Sequence, residues 1–459
     1  MGESPFVPLL ALYLAAMLAT GLLSRRRAGT AEGFFVAGRS LGPVLATCAL
    51  SGTVVSGSAV LVAAELVYDR GLPGVWLDLV GAVALVVLGL ALAARVRRSR
   101  RMTLAEFAGE AYGPRVRVVA ALVTLVAQLF FLALLVRATA TVVAPASGLD
   151  PALACVLAAA TVTLYTLAGG QHAVARTDVA QLALMLVAVF GILVPCALSL
   201  PRGGAEPPEG MLSFPFNDRF TIVDFLAFAL LYGLPHVVGS DVWSKLLSAR
   251  DERTARFAAI ASGVVKGAFG AGVAVVALAA RSSPGIEAAG GSVLPDVLAA
   301  AVPEPWRSIA SIGLVAVLMS SADTVLLTGT TVLANDVLPS RFGTVGAARG
   351  GAVVLASLGL ILALAHESLL APFRLGYTVY AAGLSLPVLA AFLPPGLRPG
   401  AGAVVAAMVL GGGVAVAGEL RRSAPDDPFA TLAGLAASAA ALAIGILARR
   451  RPRPRPRRP

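Results

Sequence analysis

Charge is scarce in this chain. Only 13% of its 459 residues are Asp, Glu, Lys or Arg, about half the share of an ordinary soluble protein. Hydrophobic residues reach 58% and the mean hydropathy is +0.86, which excludes a water-soluble globular domain. Lysine is nearly absent, with Lys245 and Lys266 its two occurrences. The three cysteines, Cys48, Cys155 and Cys196, all fall inside apolar runs, so they read as small core residues rather than a disulfide framework. The three histidines, His172, His236 and His366, form no cluster. Without a His/Cys metal spacing, a Gly-rich phosphate loop or a nucleophile elbow, the sequence carries no enzyme chemistry and calls for no cofactor. The net charge of +11 does not point to nucleic acid, because the arginines sit in short clusters between apolar runs: Arg25 to Arg27, Arg95 to Arg101, Arg250 to Arg256 and the stretch from Arg449. That is the pattern that orients helices in a membrane.

What the chain does have is length of apolar run. Stretches of about 18–25 residues recur, each enough to cross roughly 30 Å of hydrocarbon, and they are continuous rather than alternating, so they predict helices. About thirteen spans follow by 20-residue windows: 6–23, 42–67, 73–95, 117–143, 151–170, 178–200, 222–245, 254–281, 307–333, 346–366, 369–394, 399–419 and 428–448. The first span lacks a basic leading segment and is followed at once by three arginines, so it reads as a retained helix with its N-terminus outside. An odd number of crossings then leaves the C-terminus in the cytoplasm. The same parity puts Arg95 to Arg101, Arg176, Lys245 to Arg256, Arg341, Arg349 and Arg398 inside, in agreement with the charge rule. The expected location is a bacterial inner membrane. Residues 1–448 form the membrane domain, and 449–459 are expected to be a disordered basic tail placed to meet anionic headgroups. Pro201 to Thr221 and Ser282 to Trp306 read as the longest outside loops. Met102 to Gly113 reads as a short cytoplasmic helix with Thr103 as its cap.

Two spans differ from ordinary membrane helices. The second contains Ser51-Gly52-Thr53-Val54-Val55-Ser56-Gly57-Ser58, and the seventh contains Tyr232-Gly233-Leu234-Pro235-His236-Val237-Val238-Gly239. Glycine loosens a helix and proline removes a backbone donor, so both spans are expected to break at mid-depth. Each opens a set of five helices, about 42–200 and about 222–394, which is the signature of inverted repeats around a central binding site. Close helix packing through small residues is the competing explanation. The ninth span adds Val317-Leu318-Met319-Ser320-Ser321-Ala322-Asp323-Thr324. Its paired hydroxyls can bond back to the preceding turn, or join carbonyls freed by a broken helix to hold a cation.

The motifs resemble the sodium:solute symporter family. They are Phe34-Phe35-Val36-Ala37-Gly38-Arg39-Ser40-Leu41-Gly42, Ser56-Gly57, Thr103-Leu104-Ala105-Glu106-Phe107, Gly169-Gly170 through Thr177-Asp178 to Gln181, Leu247-Ser248-Ala249-Arg250 and Met319-Ser320-Ser321. The resemblance runs from about Phe34 to Leu420. It implies an all-α polytopic membrane protein of about thirteen helices, leucine-transporter-like, with inverted five-helix repeats, one extra N-terminal helix and two extra C-terminal helices. It also implies a sodium site made by the carbonyls of Gly52, Val55 and Val317 with the hydroxyls of Ser320 and Ser321. Asp178 would lie on the ion's path to the cytoplasm. By its position at the start of the sixth span it also reads as a helix cap. Arg39 matches the family signature and suits an anchor at the inner interface.

The solute site is expected beside the two breaks, with Thr53, Ser56, Asp78, Gln128, Tyr232, His236 and Lys266 as lining residues. Lys266, well inside its span, should face a cavity or be neutralised by an acid such as Asp241. Arg137, near the outer end of its span, reads as snorkelling to the interface. Val54 stands where proline-type members carry an aspartate, and Gly74, Val75 and Trp76 stand where sugar-type members carry polar groups, so neither substrate class is supported. The expected function is sodium-coupled symport of a small organic solute such as an amino acid, carboxylate or vitamin, by alternating access across the lipid bilayer. Proton coupling through Asp178 is the first alternative. A solute sensor derived from the same fold is another, but no signalling domain follows Arg458. A channel would need a wide polar pore, whereas the polar residues gather at one depth.

Overall fold

Glycine and proline decide where the apolar runs of this chain stop being regular helix. The computed structural model describes residues 5–201, 210–284, 286, 293–338, 345–366, 368–421 and 429–450. Among them the extended structure is confined to two isolated bridges, Leu41 with Ala249 and Asn217 with Phe220.

The chain begins with α1 (Phe6–Ser24) and a short α2 (Ala31–Val36), which Thr30 caps by accepting from the Gly33 amide at 3.0 Å. The second expected span is two helices, α3 (Pro43–Val54) and α4 (Gly57–Arg70). They part at Val55 (φ −81°, ψ 31°) and Ser56 (φ −49°, ψ 151°). Next come α5 (Trp76–Ala91), α6 (Ala93–Arg98), α7 (Leu104–Tyr112) and α8 (Pro114–Ser147). The expected cap of α7 is present, with the Glu106 amide donating to the Thr103 hydroxyl at 3.0 Å.

The fifth span ends at Gly170, as expected, and the helix of the sixth begins directly after it, at Gln171 rather than 178. Helix α9 (Pro151–Leu186) runs through both, turning at Gly170 (φ 55°, ψ −151°), then passes through a π-helical turn to α10 (Val194–Leu198). A side chain at Gly170 would meet the Phe34 carbonyl at 2.6 Å, so both the backbone conformation and the close approach require glycine. Asp178 is therefore well inside a helix, and its reading as a cap is corrected: the helix continues through residues 171–178 because no proline or further glycine interrupts them.

The seventh span is broken as expected. It comprises α11 (Ile222–Phe228), a π-helical stretch Ala229–Gly233, α12 (Leu234–Val238) and, beyond an extended Gly239 (φ −60°, ψ 130°), α13 (Ser240–Ser248). The remainder is α14 (Glu252–Arg281), α15 (Val293–Ala301), α16 (Trp306–Val332), α17 (Val345–Ala365), α18 (Leu370–Tyr380), α19 (Leu386–Ala390), α20 (Ala401–Leu420) and α21 (Phe429–Arg450). Asp251 caps α14, and the Thr254 amide bonded to it holds its carboxyl below the ordinary range.

Ten helices among the described residues are long and apolar enough to cross a membrane. In the apolar window of α16, 94% of residues are buried, against 22% for α1, so α16 is the axis of the molecule and α1 lies at its edge. The expected loop Ser282 to Trp306 contains α15, whose Val293, Leu294, Val297 and Leu298 form one buried apolar stripe at helical spacing. In the expected basic tail, Arg449 and Arg450 belong to α21, while 451–459 lie outside the described residues, as do 202–209 of the loop after α10 and the arginines at 341 and 422.

The starts of α3 and α14 are pinned to each other at one face. The Leu41 amide donates to the Ser248 carbonyl at 3.1 Å and the Arg250 amide to Leu41 at 2.9 Å. Two arginines reinforce this join. Arg39 bonds Glu32 and the carbonyls of Arg100, Arg101 and Leu247, and Arg97 bonds the carbonyls of Ala249 and Arg250.

Candidate functional site

The two helix breaks meet α16 at the centre of the molecule. Ser321 of α16 faces the end of α3, its hydroxyl 3.2 Å from the Gly52 carbonyl, 3.5 Å from Thr53 and 3.4 Å from Val317 in its own helix. Ser320 turns the other way and donates to Asp178 Oδ1 at 2.6 Å. Gly52 sits between them, since a Cβ there would stand 2.3 Å from Ser320 Oγ and 3.0 Å from Asp178 Oδ1. The second carboxylate oxygen of Asp178 accepts no hydrogen bond and lies 3.5 Å from Lys245 Nζ, with both side chains fully buried. Four of the five expected sodium ligands are thus drawn together with Asp178. Val55 differs: it ends α3 at the break itself, and the carbonyls that Ser321 reaches are those of Gly52 and Thr53.

Next to this cluster lies a cavity of about 50 Å³. Thr53, Ser56, His236, Gly239, Asp241 and Ser321 are among its lining residues, along with the rings of Phe131, Tyr377 and Tyr380. Both breaks therefore open onto it. The Tyr380 hydroxyl fixes the second break, accepting from the Ser240 amide at 2.6 Å and donating to the Ser240 hydroxyl. Of the expected solute residues, Thr53, Ser56 and His236 line the cavity. Tyr232 stands behind it, its ring 5.1 Å from Tyr377 and 5.3 Å from Phe373. Gln128, on α8, is outside the lining, and its amide is buried without a hydrogen bond. Arg137 is half-buried rather than at an open interface.

Lys266 and Asp78 are also outside the lining, because they satisfy each other. Lys266 Nζ lies 2.7 Å from Asp78 Oδ1 and donates to the Val54 carbonyl, the last of α3, at 2.9 Å. Lys266 is thus neutralised by an acid, and that acid is Asp78 rather than Asp241. Lys245, read from the sequence as part of an inner basic cluster, is buried against Asp178 instead. Apolar neighbours at Val242, Leu246 and Leu247 carry α13 inward past the point where the charge pattern placed the interface.

Asp323 gained no role from the sequence. It is fully buried on α16, accepting from Tyr165 at 2.9 Å and from Thr324 at 3.2 Å. A carboxylate in the middle of an apolar span was the signal that marked it.

With this geometry in view, the comparisons with known proteins are specific. Residues 34–205 match the model of the sodium:solute symporter family. Among curated relatives, high-affinity choline transporter 1 of Caenorhabditis elegans is 29% identical over 167 residues, 36% of this chain and 29% of that protein. An osmoregulated proline transporter of Bacillus subtilis is 26% identical over 247 residues, half of each chain, and the human sodium/iodide cotransporter is 27% identical over 218 residues, 46% of this chain and 33% of that one. The matches thus span half or less of those relatives' lengths. These relatives are transporters rather than enzymes. Over nearly the whole chain, the fold superposes on a Na+-coupled sialic acid symporter in a substrate-bound, outward-open state, with a TM-score of 0.81, 18% identity and 97% coverage of both chains. A nucleobase-cation-symport-1 family transporter aligns with a TM-score of 0.59 and 17% identity. The architecture is leucine-transporter-like.

Proposed function

We propose that the protein is a secondary active transporter that couples uptake of a small organic solute to sodium by alternating access. One observation carries this reading: the broken end of α3 and the serine pair of α16 gather the carbonyls of Gly52, Thr53 and Val317 around Ser321 Oγ, with Ser320 and Asp178 directly beside Gly52. Carbonyls released at a helix break, with buried hydroxyls, suit a dehydrated monovalent cation. Asp178, whose second oxygen faces Lys245, would be the ion's next ligand toward the cytoplasm. Sodium would favour the outward-open form and so prepare the adjoining cavity. That coupling requires each ligand to bind one conformation better than the other.

The repeats at about 42–200 and about 222–394 fit this scheme, because each opens on one of the two breaks. The orientation with the C-terminus in the cytoplasm is supported by Arg39, Arg97, Arg100, Arg101 and Arg250, which meet at a single face and match the positive-inside rule. A bacterial inner membrane is the corresponding location.

The test is sodium-dependent thermal stabilisation of the purified protein, followed by uptake in proteoliposomes with and without a sodium gradient. Stabilisation by sodium but not by potassium or choline chloride at equal ionic strength supports the site. An equal response to all three salts removes it.

A further inference from the structure

Four carboxylates lie in the central region, Asp78, Asp178, Asp241 and Asp323, and two lysines face them. Lys266 is taken by Asp78 at 2.7 Å and Lys245 by Asp178 at 3.5 Å. Asp323 receives only neutral donors, Tyr165 and Thr324. Asp241 makes no ion pair among the described residues, yet it is partly exposed to the cavity that both helix breaks enter. An ionised carboxylate without a partner is costly away from water. With all four ionised, the region would hold two more negative charges than positive ones, and Asp241 is the carboxylate of the four that lines the cavity.

We infer that the cavity binds a small organic cation, a quaternary or protonated amine, with Asp241 as its counter-charge. This rests on the symport reading above and names its solute class. The walls separate such a solute from a second metal ion. Phe131, Tyr377 and Tyr380 line the cavity, and Phe131 meets Tyr377 edge to face at 5.1 Å. Aromatic faces attract weakly hydrated ammonium groups, whereas a sodium ion needs a cage of oxygens. Anionic solutes are disfavoured, because the two ammonium groups of the region already face carboxylates: Lys266 is committed to Asp78 and to the Val54 carbonyl, and Lys245, on the same helix as Asp241, to Asp178. His236 does not supply a positive charge either. Its Nδ1 lies 2.7 Å from the Tyr232 carbonyl and so carries the proton, and its ring closes on the same face of Gly81 as Lys266, where a second cation would be repelled.

Asp241 has another role, since it lies in the first turn of α13 beside the amides of Asp241 and Val242. A helix terminus offers about half a charge, which holds the carboxylate in place but leaves the remainder for a ligand. The cavity volume of about 50 Å³, well below the roughly 300–1,000 Å³ of drug-sized sites, limits the guest to a small one.

The experiment is binding to the full chain in lipid nanodiscs in sodium chloride. The probes are tetramethylammonium and choline against glycine betaine, L-proline, D-glucose and acetate. The two cations are expected to bind and the neutral and anionic probes not to. Asp241→Asn should weaken the cations about 100-fold, with Asp241→Glu retaining binding, while the response of the protein to sodium alone stays intact. Unchanged cation affinity in Asp241→Asn, or preferred binding of glucose or acetate, overturns the inference and leaves sodium coupling standing. Loss of the sodium response in the unmodified protein defeats the symport reading instead.

Discussion

Ser320 of α16 donates its hydroxyl to Asp178 of α9 at 2.6 Å, joining two helices at the point where α3 ends. The bond orients the carboxylate so that its other oxygen faces Lys245 Nζ at 3.5 Å. Replacing Ser320 by Ala removes a charge-assisted hydrogen bond worth about 1.5–3 kcal/mol and, on the proposed site, one of the ion's ligands. The sodium concentration for half-maximal stabilisation is expected to rise about tenfold or more, and Ser321→Ala should act similarly. A double variant with unaltered sodium dependence would refute the site.

Gly52 is the tightest position in the cluster. Its substitution by Ala puts a methyl 2.3 Å from Ser320 Oγ, and overpacking of this kind costs about 1–3 kcal/mol. The expected result is a protein that inserts and purifies but has lost the stabilising response to sodium. The same substitution at Gly402, where a Cβ meets nothing within 4 Å, should leave that response unchanged.

Asp78 and Lys266 form a pair almost wholly buried, with side chains 5% and 2% exposed. Lys266→Met or Asp78→Leu alone strands a charge and should destabilise the protein by about 3–5 kcal/mol. The double variant should recover most of that loss, as read by thermal unfolding in detergent. Independent, additive losses would mean that the two groups do not answer each other.

The helical breaks were legible because glycine, proline and clustered hydroxyls act locally. Val55–Ser56 and Gly239 are where the composition placed them. The serine pair was legible as well, through its motif. Partners were not, because pairing is decided by which helices pack together. Lys266 meets Asp78 across 188 residues and Lys245 meets Asp178, and no local pattern distinguishes those acids from Asp241. The short α15 and the early start of the sixth span, directly after Gly170, were obscured for a related reason: windows suited to whole spans blur segments of nine residues and single-residue turns.

Arg97 is buried against the end of α13, where it donates to the carbonyls of Ala249 and Arg250. Arg97→Gln shortens that reach and removes the charge, at a cost of about 1.5–3 kcal/mol. Hydrogen exchange of the amides of Ala249 and Arg250 is expected to accelerate about tenfold or more, with amides near Tyr380 and Ser240 unaffected. Equal protection in both proteins would show that the arginine does not hold that face shut.

The join between Leu41 and the Ser248–Arg250 turn is made by main-chain atoms, so ordinary substitution leaves it in place. The flanking arginines, Arg39 and Arg97, act through side chains and can be altered separately from that join. Changes confined to these two guanidinium groups would thus alter how firmly this face is joined while leaving the residues that line the central cavity untouched.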